Sequence, residues 1–345
     1  MGTENFLANL NPRKRLCDIV LPGSHDAGIA REHYSGMGFI GNHTDSSKVI
    51  TQDKNIFDQA IAGSRFFDIR LKFDKKSDSY SSFHAPGMLT SQGGTGLDMD
   101  DILEQLLKFV QTNSSEFVIA RLSHLKDPGL DSAHSVLRKL KKWIGENENF
   151  VCKLEGNLAV RRIEELKQKI IFVVQGAALD GTNFGQLQGM HRLYQNKGGA
   201  DLRKAEDGLC FCGEFSKSNS LGKIIDGQLK NFSIHAGHLN MPDSHAHMSC
   251  LYWTSTYGDI KIHTEKLHSN YDFVEALVTN MEFNEEFKFA GEKYGDKFKT
   301  EIVRKVNEAR RQFAITGYSP PNIIIYDFVN EYLSSKIIEL NDYSF

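Results

Sequence analysis

The sequence lacks a long hydrophobic segment. No stretch of its 345 residues approaches the ~20 consecutive apolar residues that a transmembrane helix needs. Residues 1–12 do not show the basic stretch followed by an apolar run that marks a secretory signal. We therefore expect a chain without a membrane span, cytoplasmic as given, although a processed or exported form would show the same pattern.

Cysteine is scarce, and charge of one sign is nowhere concentrated. The five cysteines are scattered and odd in number, which favours reduced thiols over a disulfide framework. The formal net charge is only −3, without long runs of one sign, so the electrostatic footprint of a nucleic-acid-binding protein is missing. We interpret one basic cluster as the exposed face of a helix; its members are Arg138, Lys139, Lys141 and Lys142.

Linkers rich in proline, glycine or serine are also missing, as are internal repeats. Short apolar runs alternate instead with segments of helical periodicity, which predicts one α/β domain over residues 1–345. The number of candidate strands is about what a parallel barrel needs, so we predict a distorted or incomplete (β/α)8 TIM-like barrel. The predicted strands cover residues 18–21, 65–73, 81–84, 117–122, 170–174, 209–212, 251–255 and 323–328, and a helix is predicted over 98–112.

Charged and apolar residues alternate along the predicted strand over 65–73. Asp68 and Arg70 fall on one face, and we expect them to project together into the barrel near the end of the strand, where barrel active sites are built. The last predicted strand places Asp327 on the face opposite Tyr326. A carboxylate buried there needs a hydrogen-bond donor.

Two histidines flank this charged strand. His25 lies in Leu-Pro-Gly-Ser-His-Asp-Ala-Gly (21–28), and His84 lies in Phe-His-Ala-Pro-Gly (83–87). Alone, a His-Asp dipeptide is more often a solvated turn than a catalytic site. Two imidazoles that share the roles of proton acceptor and donor, together with the Arg70 guanidinium, can nevertheless cleave a phosphodiester by attack of a nearby hydroxyl.

The order and spacing of these segments carry a family resemblance. Residues 21–28, 65–70 and 83–84, together with Ile-Ile-Ile-Tyr-Asp-Phe-Val-Asn-Glu at 323–331, resemble the X domain of phosphatidylinositol-specific phospholipases C, particularly the small, metal-independent bacterial type. The resemblance implies one catalytic barrel over the whole chain, with its catalytic motifs in 17–90 and 323–331. It also implies a phospholipid substrate met transiently at a membrane surface.

The resemblance further implies roles for individual residues. His25 would be the general base that takes the proton from the inositol 2-hydroxyl, and Asp327 would orient it. His84, assisted by Asp26, would protonate the departing glycerol oxygen. The products would be diacylglycerol and an inositol phosphate, cyclic at first.

Arg70 would bind the phosphate oxygens, with Asp68 fixing its orientation. Calcium-dependent members of the superfamily have a carboxylate ligand where this chain has Arg70, so we predict that no metal or other cofactor is required. The competing hypothesis is that Asp26, Asp68 and Asp74 gather around Ca²⁺ or Mg²⁺.

The chain departs from the family where the substrate's sugar would bind. Ser123 and Gln175 stand where the bacterial lipases have sugar-binding side chains, and we predict that they contact the substrate instead. Trp253 and Tyr257 are further candidates for the pocket wall. These departures make phosphodiester cleavage a firmer prediction than the inositol headgroup. Two alternatives stay open: a metal-dependent glycerophosphodiesterase or sphingomyelinase-like enzyme, and a catalytically silent phosphoinositide-binding module.

Three stretches carry weaker signals. Residues 93–96 predict a flexible turn, since the lysine of a phosphate loop is missing. The long connection over 36–51 could form a rim or a lid. A polar loop that contains His235, His238, His245 and His247 suggests zinc, but the spacing fits no common zinc site.

Overall fold

The computed structural model describes most of the chain. The described residues are 2–35, 45–74, 79–85, 93–126, 133–180, 182–196, 207–235, 243, 246–255, 259–269, 304 and 321–342.

Within the described residues, ten strands form one continuous sheet. They are β1 (Leu21–Ser24), β2 (Phe66–Asp74), β3 (Ser79–His84), β4 (Gly94–Asp98), β5 (Val118–Lys126), β6 (Ile170–Gln175), β7 (Met190–Asn196), β8 (Leu209–Cys212), β9 (Met248–Trp253) and β10 (Ile323–Tyr326). Eight of them pair in parallel in the ring order β1, β2, β5, β6, β7, β8, β9, β10, and β10 pairs with β1 to close the ring. The predicted TIM-like barrel is confirmed.

Helices lie between the strands. Those described are α1 (Ile56–Ile61), α2 (Met99–Thr112), α3 (Ala133–Glu146), α4 (Ile163–Leu166), α5 (Gly176–Leu179), α6 (Leu221–His235), α7 (Ile260–His268) and α8 (Glu331–Glu339). Within the described residues, no helix combines the length and apolar composition of a membrane span.

Helix α2 shows why such a segment forms and where it packs. Two acidic side chains in its first turn, Asp100 and Asp101, complement the positive end of the helix dipole. Its buried stripe includes Leu106, which contributes to the same hydrophobic cluster as Phe67 and Ile69 of β2. Each such fully buried side chain contributes about 1.5–3 kcal/mol. The apolar face of β2 therefore points outward to helices, and its charged face points into the barrel, as predicted.

The barrel is distorted where β1 meets β2. Only two residue pairs join these strands, Gly23 with Phe66 and Ser24 with Phe67. Beyond the end of β1, the far half of β2 pairs with β3 in an antiparallel hairpin, and β4 extends it. This extension brings the end of β3, which carries His84, to the barrel mouth beside the turn that follows β1.

Several predicted boundaries are wrong. The first strand lies at Leu21–Ser24 instead of 18–21, because Leu16–Asp18 forms a 3₁₀ turn. Pro22 has no backbone N–H to donate, but it is tolerated inside this strand because residues on either side of it make the hydrogen bonds toward β10. The amides of Leu21 and His25 donate to the carbonyls of Asn322 and Tyr326. Strand β7 was not predicted, because its sequence is largely polar and lacks the apolar run by which the other strands were recognised.

Of the turn predicted over 93–96, residues 94–96 belong instead to strand β4, which pairs with β3. A Cβ atom on Gly96 would lie 2.1 Å from the carbonyl oxygen of Gly28. Glycine is needed there because the two backbone segments approach each other closely. The glycines that predicted a flexible turn therefore reflect tight packing.

Candidate active site

Ionisable side chains converge where four of the barrel strands end and β3 arrives beside them. His25 and Asp26 follow β1, Asp327 follows β10, and Asp68 with Arg70 comes from β2. The end of β3 supplies His84, and β5 supplies an additional arginine, Arg121. All but Arg70 are buried. In a TIM barrel, this carboxyl end of the strands is where active sites are built.

His25 is held by Asp327. Its Nδ1 lies 2.8 Å from Asp327 Oδ1, and Asp327 is fully buried. Because a carboxylate only accepts hydrogen bonds, the Nδ1 of His25 carries a proton and donates it. In the neutral imidazole, the lone pair is therefore on Nε2, which lies 3.1 Å from the Nη2 of Arg70. His25 is oriented to accept a proton at Nε2.

Asp26 lies between the two histidines. Its Oδ2 is 3.4 Å from Nε2 of His25 and 3.5 Å from Nε2 of His84, and the two imidazole centroids are 6.2 Å apart. Its Oδ1 is 2.7 Å from Nε of Arg70, an ion pair whose N–H is not directed at the oxygen. The φ angle of Asp26 is 42°, a left-handed conformation that costs a non-glycine residue about 1–3 kcal/mol.

Asp68 connects Arg70 to a second buried arginine. Its Oδ2 accepts from Nη2 of Arg70 at 3.1 Å, and its Oδ1 lies 3.8 Å from Nε of Arg121. The hydroxyl of Ser123 donates to the same Oδ1 at 3.4 Å. Burial alone raises the pKa of Asp68, but the attraction of Arg121 and Arg70 outweighs it and holds this pKa well below its ordinary range. Asp68 therefore stays ionised and fixes Arg70.

The two histidines have opposite pKa shifts. Burial lowers the pKa of both, but the attraction of Asp26 and Asp327 outweighs burial at His25, whose pKa is raised. At His84, burial and the positive charges of Arg70 and His25 outweigh Asp26, and the pKa is lowered. Without substrate, a single shared proton therefore favours His25.

The structure places the four residues predicted to contact the substrate in different positions. Ser123 faces inward beside Asp68, and Gln175 lies exposed at the end of β6, where its side-chain oxygen accepts from the amide of His124 at 3.3 Å. Trp253 is turned away from the mouth: it is fully buried, and its indole donates to the carbonyl of Leu267 at the end of α7. Strand alternation explains this, because Tyr252 takes the inward position. Tyr257 lies outside the described residues.

Three inward-facing residues were missed. Arg121 donates to the hydroxyl of Tyr252 at 3.1 Å and to Oε1 of Gln195 at 3.2 Å, which places a partly buried polar network next to Asp68. Arg121 could have been found, because a charged residue two positions from Ile119 on a buried strand must face a partner. Gln195 and Tyr252 carry no comparable local signal.

One group of residues could hold a cation. Ligand atoms of His25, Asp26 and Asp68 lie within 4.8 Å of one another. Arg70 contacts both carboxylates, so its guanidinium supplies positive charge at the place where a cation would bind. The side chain of Asp74 lies outside the described residues. Of the clustered histidines, His247 is buried, and the side chains of the other three are not described.

No family model matches this sequence. Among curated proteins, it is 35% identical over 98 residues to a 1-phosphatidylinositol phosphodiesterase of Staphylococcus aureus, a match that covers 28% of each chain. It is 26% identical over 123 residues to the protein of that name from Listeria monocytogenes, over 35% of this chain and 32% of that one. The matched part thus spans about a third or less of each relative.

Solved structures match along the whole chain. A phosphatidylinositol-specific phospholipase C from S. aureus superposes with a TM-score of 0.63 at 15% identity, over 99% of this chain and 98% of that one. The enzyme from L. monocytogenes gives 0.57 at 16% identity, over 99% and 100%. The chain has the fold of bacterial phosphatidylinositol-specific phospholipases C. The resemblance predicted from the sequence is confirmed.

Proposed function

We propose that the protein is a phosphodiesterase of the phosphatidylinositol-specific phospholipase C type. The observation that carries this proposal is the pair of buried histidines whose Nε2 atoms both lie within 3.5 Å of one oxygen of Asp26, beside an arginine. The names of the curated relatives and of the solved structures support it. The substrate would be an inositol phospholipid, reached by transient contact with a membrane surface.

The first chemical step is proton transfer to His25. Its Nε2 takes the proton of the inositol 2-hydroxyl while the hydroxyl oxygen forms a bond to phosphorus. The positive charge that develops on the imidazole is stabilised by Asp327, which is bonded to the other ring nitrogen. Burial of Asp327 strengthens this interaction, because little water screens it.

His84 supplies the proton for the leaving group. The bond from phosphorus to the glycerol oxygen breaks, and that oxygen takes the proton from Nε2 of His84, which leaves diacylglycerol and a cyclic inositol phosphate. Nδ1 of His84 donates to the carbonyl of Val49 at 2.9 Å, so Nε2 is the nitrogen that exchanges its proton. We expect the bound phosphate to raise the pKa of His84, because a nearby negative charge favours the protonated ring.

Arg70 stabilises the charge that builds on the non-bridging phosphate oxygens. It is partly exposed at the mouth of the barrel, with 22% of its side chain accessible, whereas its partners Asp26 and Asp68 lie buried behind it. A fixed guanidinium supplies charge and directed N–H donors without a metal ion, and we propose metal-independent catalysis on this basis. The cytoplasmic location stays a prediction.

The test is hydrolysis of defined vesicles, each containing phosphatidylinositol, phosphatidylcholine or sphingomyelin, with and without EDTA. We expect a cyclic inositol phosphate, detected by phosphorus NMR, from the phosphatidylinositol vesicles only and at equal rates with EDTA. His25→Ala and His84→Ala should each lower the rate by about 10²- to 10⁴-fold. His33→Ala, a change at an exposed histidine, is the matched control and should leave the rate unchanged.

Different results would identify the alternatives. Activity lost with EDTA and restored by Ca²⁺ would favour a metal-dependent enzyme that uses His25, Asp26 and Asp68 as ligands. Vesicle binding without any product would favour a silent phosphoinositide-binding module. Either histidine variant with a rate within a few-fold of the unmodified protein would rule out the proposed mechanism.

A further inference from the structure

A short buried segment contacts His84 and the two backbone turns that carry His25 and Asp327. It comprises residues 49–52, and each of its four residues is at most 4% exposed. We call it the strap. It lies in the connection before α1, and nothing in its sequence distinguishes it from an ordinary loop.

One end of the strap holds His84. The carbonyl oxygen of Val49 accepts from Nδ1 of His84 at 2.9 Å. This bond sets both the orientation of the imidazole and its tautomer, because it commits the proton on Nδ1 and leaves Nε2 facing Asp26.

The other end of the strap joins the two turns that form the His25–Asp327 pair. The side-chain amide of Gln52 donates to the carbonyl of His25 at 2.9 Å, and its oxygen accepts from the amide of Val329 at 2.9 Å. One side chain thus connects the residue after β1 with a residue two positions beyond Asp327.

Thr51 holds the same two turns at their strained residues. Its hydroxyl donates to the carbonyl of Asp26 at 3.0 Å, and its own carbonyl accepts from the amide of Phe328 at 2.8 Å. Asp26 and Phe328 have φ angles of 42° and 52°. Left-handed backbone at such residues costs about 1–3 kcal/mol each, and it persists only where surrounding contacts impose it. The strap supplies those contacts.

We propose that Gln52 and Thr51 are positioning residues for the phosphodiester cleavage proposed above, which act by fixing the distance between His25 and Asp327, while Val49 of the same strap orients His84. They do not touch the substrate, because both are fully buried. The inference rests on the proposed function for its catalytic consequence only. Its geometric content can be measured without any substrate.

The test compares Gln52→Met with Asn322→Leu, each of which replaces a buried amide by an apolar side chain of similar size. Asn322 precedes β10 at the opposite end of the barrel, donates to the carbonyls of Cys17 and Ile19, and accepts from the amide of Ser249. Both variants lose buried hydrogen bonds, so we expect both to unfold at lower temperature. Only Gln52→Met should change catalysis.

The expected catalytic loss in Gln52→Met is about 10- to 10²-fold in kcat with KM within about twofold, because small misplacement of reacting groups is costly. Imidazole NMR titrations of the same proteins should show the pKa of His25 moving down toward its ordinary value, while Asn322→Leu leaves it unchanged. Thr51→Val, which removes only the hydroxyl bonded to Asp26, should show the same changes to a smaller extent and provides a second variant if Gln52→Met does not fold.

Unchanged kcat and unchanged histidine titrations in folded Gln52→Met would overturn the proposal. Equal catalytic losses in Gln52→Met and Asn322→Leu would also overturn it, because they would show a general effect of instability. If the unmodified protein cleaves none of the lipids, the proposed function fails, but the NMR titrations still decide whether the strap sets the histidine geometry.

Discussion

Two arginines five positions apart, Arg65 just before β2 and Arg70 within it, hold their positive charge in opposite ways. Arg65 directly precedes β2 at the closed end of the barrel and is fully buried. Its guanidinium donates to Glu116 and to the carbonyls of Ala60 and Ser64, among others, and it stacks between the rings of two phenylalanines. Every nitrogen of this guanidinium has an acceptor.

Arg70, five positions later at the open end, is much less completely bonded. Its Nε lies against Asp26 without a hydrogen bond, although the distance is only 2.7 Å. Among the described residues, several buried side-chain polar atoms have no hydrogen bond. In the site, these are both carboxylate oxygens of Asp26, Oδ2 of Asp327, and the Nε atoms of Arg70 and Arg121. Five of the ten such atoms among the described residues belong to these four side chains, although native structures leave few buried polar atoms unsatisfied, and this clustering distinguishes the site from the rest of the barrel.

The comparison can be tested most directly with Arg65→Met and Arg70→Met. Arg65→Met leaves the buried carboxylate of Glu116 without its partner, and we expect the free energy of unfolding to fall by about 3–5 kcal/mol. Arg70→Met should instead lower activity by about 10³-fold, because it removes the donors to the phosphate, with a smaller change in stability. Urea unfolding and lipid hydrolysis by both variants check this. An active, stable Arg65→Met would contradict the structural role of Arg65.

The site half of the comparison is sharpened by Asp327→Asn. Asparagine can still accept from Nδ1 of His25 but carries no charge, so it cannot stabilise the imidazolium. We expect kcat/KM to fall by about 10²- to 10³-fold. Catalysis needs one proton on the histidine pair, and in the free protein that proton is mainly on His25, because the pKa of His25 is raised and that of His84 is lowered. Loss of this last proton from His25 therefore sets the alkaline limb of the kcat/KM profile. This limb should move to lower pH in the variant.

The matched control for this change is Asp100→Asn, which alters an exposed carboxylate paired with Lys139. Its pH profile should coincide with that of the unmodified protein, because surface ion pairs contribute little. An alkaline limb that stays in place in Asp327→Asn would show that Asp327 does not govern the protonation of His25.

A buried histidine outside the site provides the smallest test. His191 donates to the carbonyl of Cys152, and burial lowers its pKa to about 4, although this hydrogen bond and the charge of Asp207 oppose the shift. His191 therefore takes up a proton near pH 6.5 in the unfolded chain but only near pH 4 in the folded chain. The free energy of unfolding should fall by about 3 kcal/mol as the pH falls from 6.5 to 4. Thermal unfolding across this range, compared with His191→Gln, measures the effect.

His25 should show the opposite sign. Its pKa is raised in the folded protein, so its contribution to stability is fully present below pH 6.5 and is lost as the pH rises through the raised value. His25→Ala should therefore flatten the stability curve on the alkaline side, and His191→Gln should flatten it on the acidic side. Identical curves for the two variants would mean that burial alone governs both histidines.

Much of the barrel was predictable because its signals are local. Alternation along 65–73 and 323–328 correctly assigned which residues face inward, including Asp68, Arg70 and Asp327. Helix α2 was predicted at 98–112, and its apolar stripe is buried as expected. Where composition misled, as at Pro22 and Gly96, residues typical of turns lie in strands because of how neighbouring backbone packs.

The network around the site was less predictable. Gln52 resembles any polar loop residue, and its bonds join groups 27 and 277 positions away in sequence. Trp253 was predicted to line the pocket, but it faces outward. Neighbouring residues of a strand face opposite sides, and here Tyr252 is the one that faces inward. Such assignments depend on the register between strands, which no single segment specifies.

The sequence by itself determined the chemical groups of this protein and the faces on which they lie, because side-chain direction follows from the two-residue period of a strand. Only the tertiary structure decided which groups meet. His25 and Asp327 are 302 positions apart and come within 2.8 Å because β10 pairs with β1 to close the barrel. The pKa shifts of the histidines arise from that closure, since burial and neighbouring charge exist only in the folded chain.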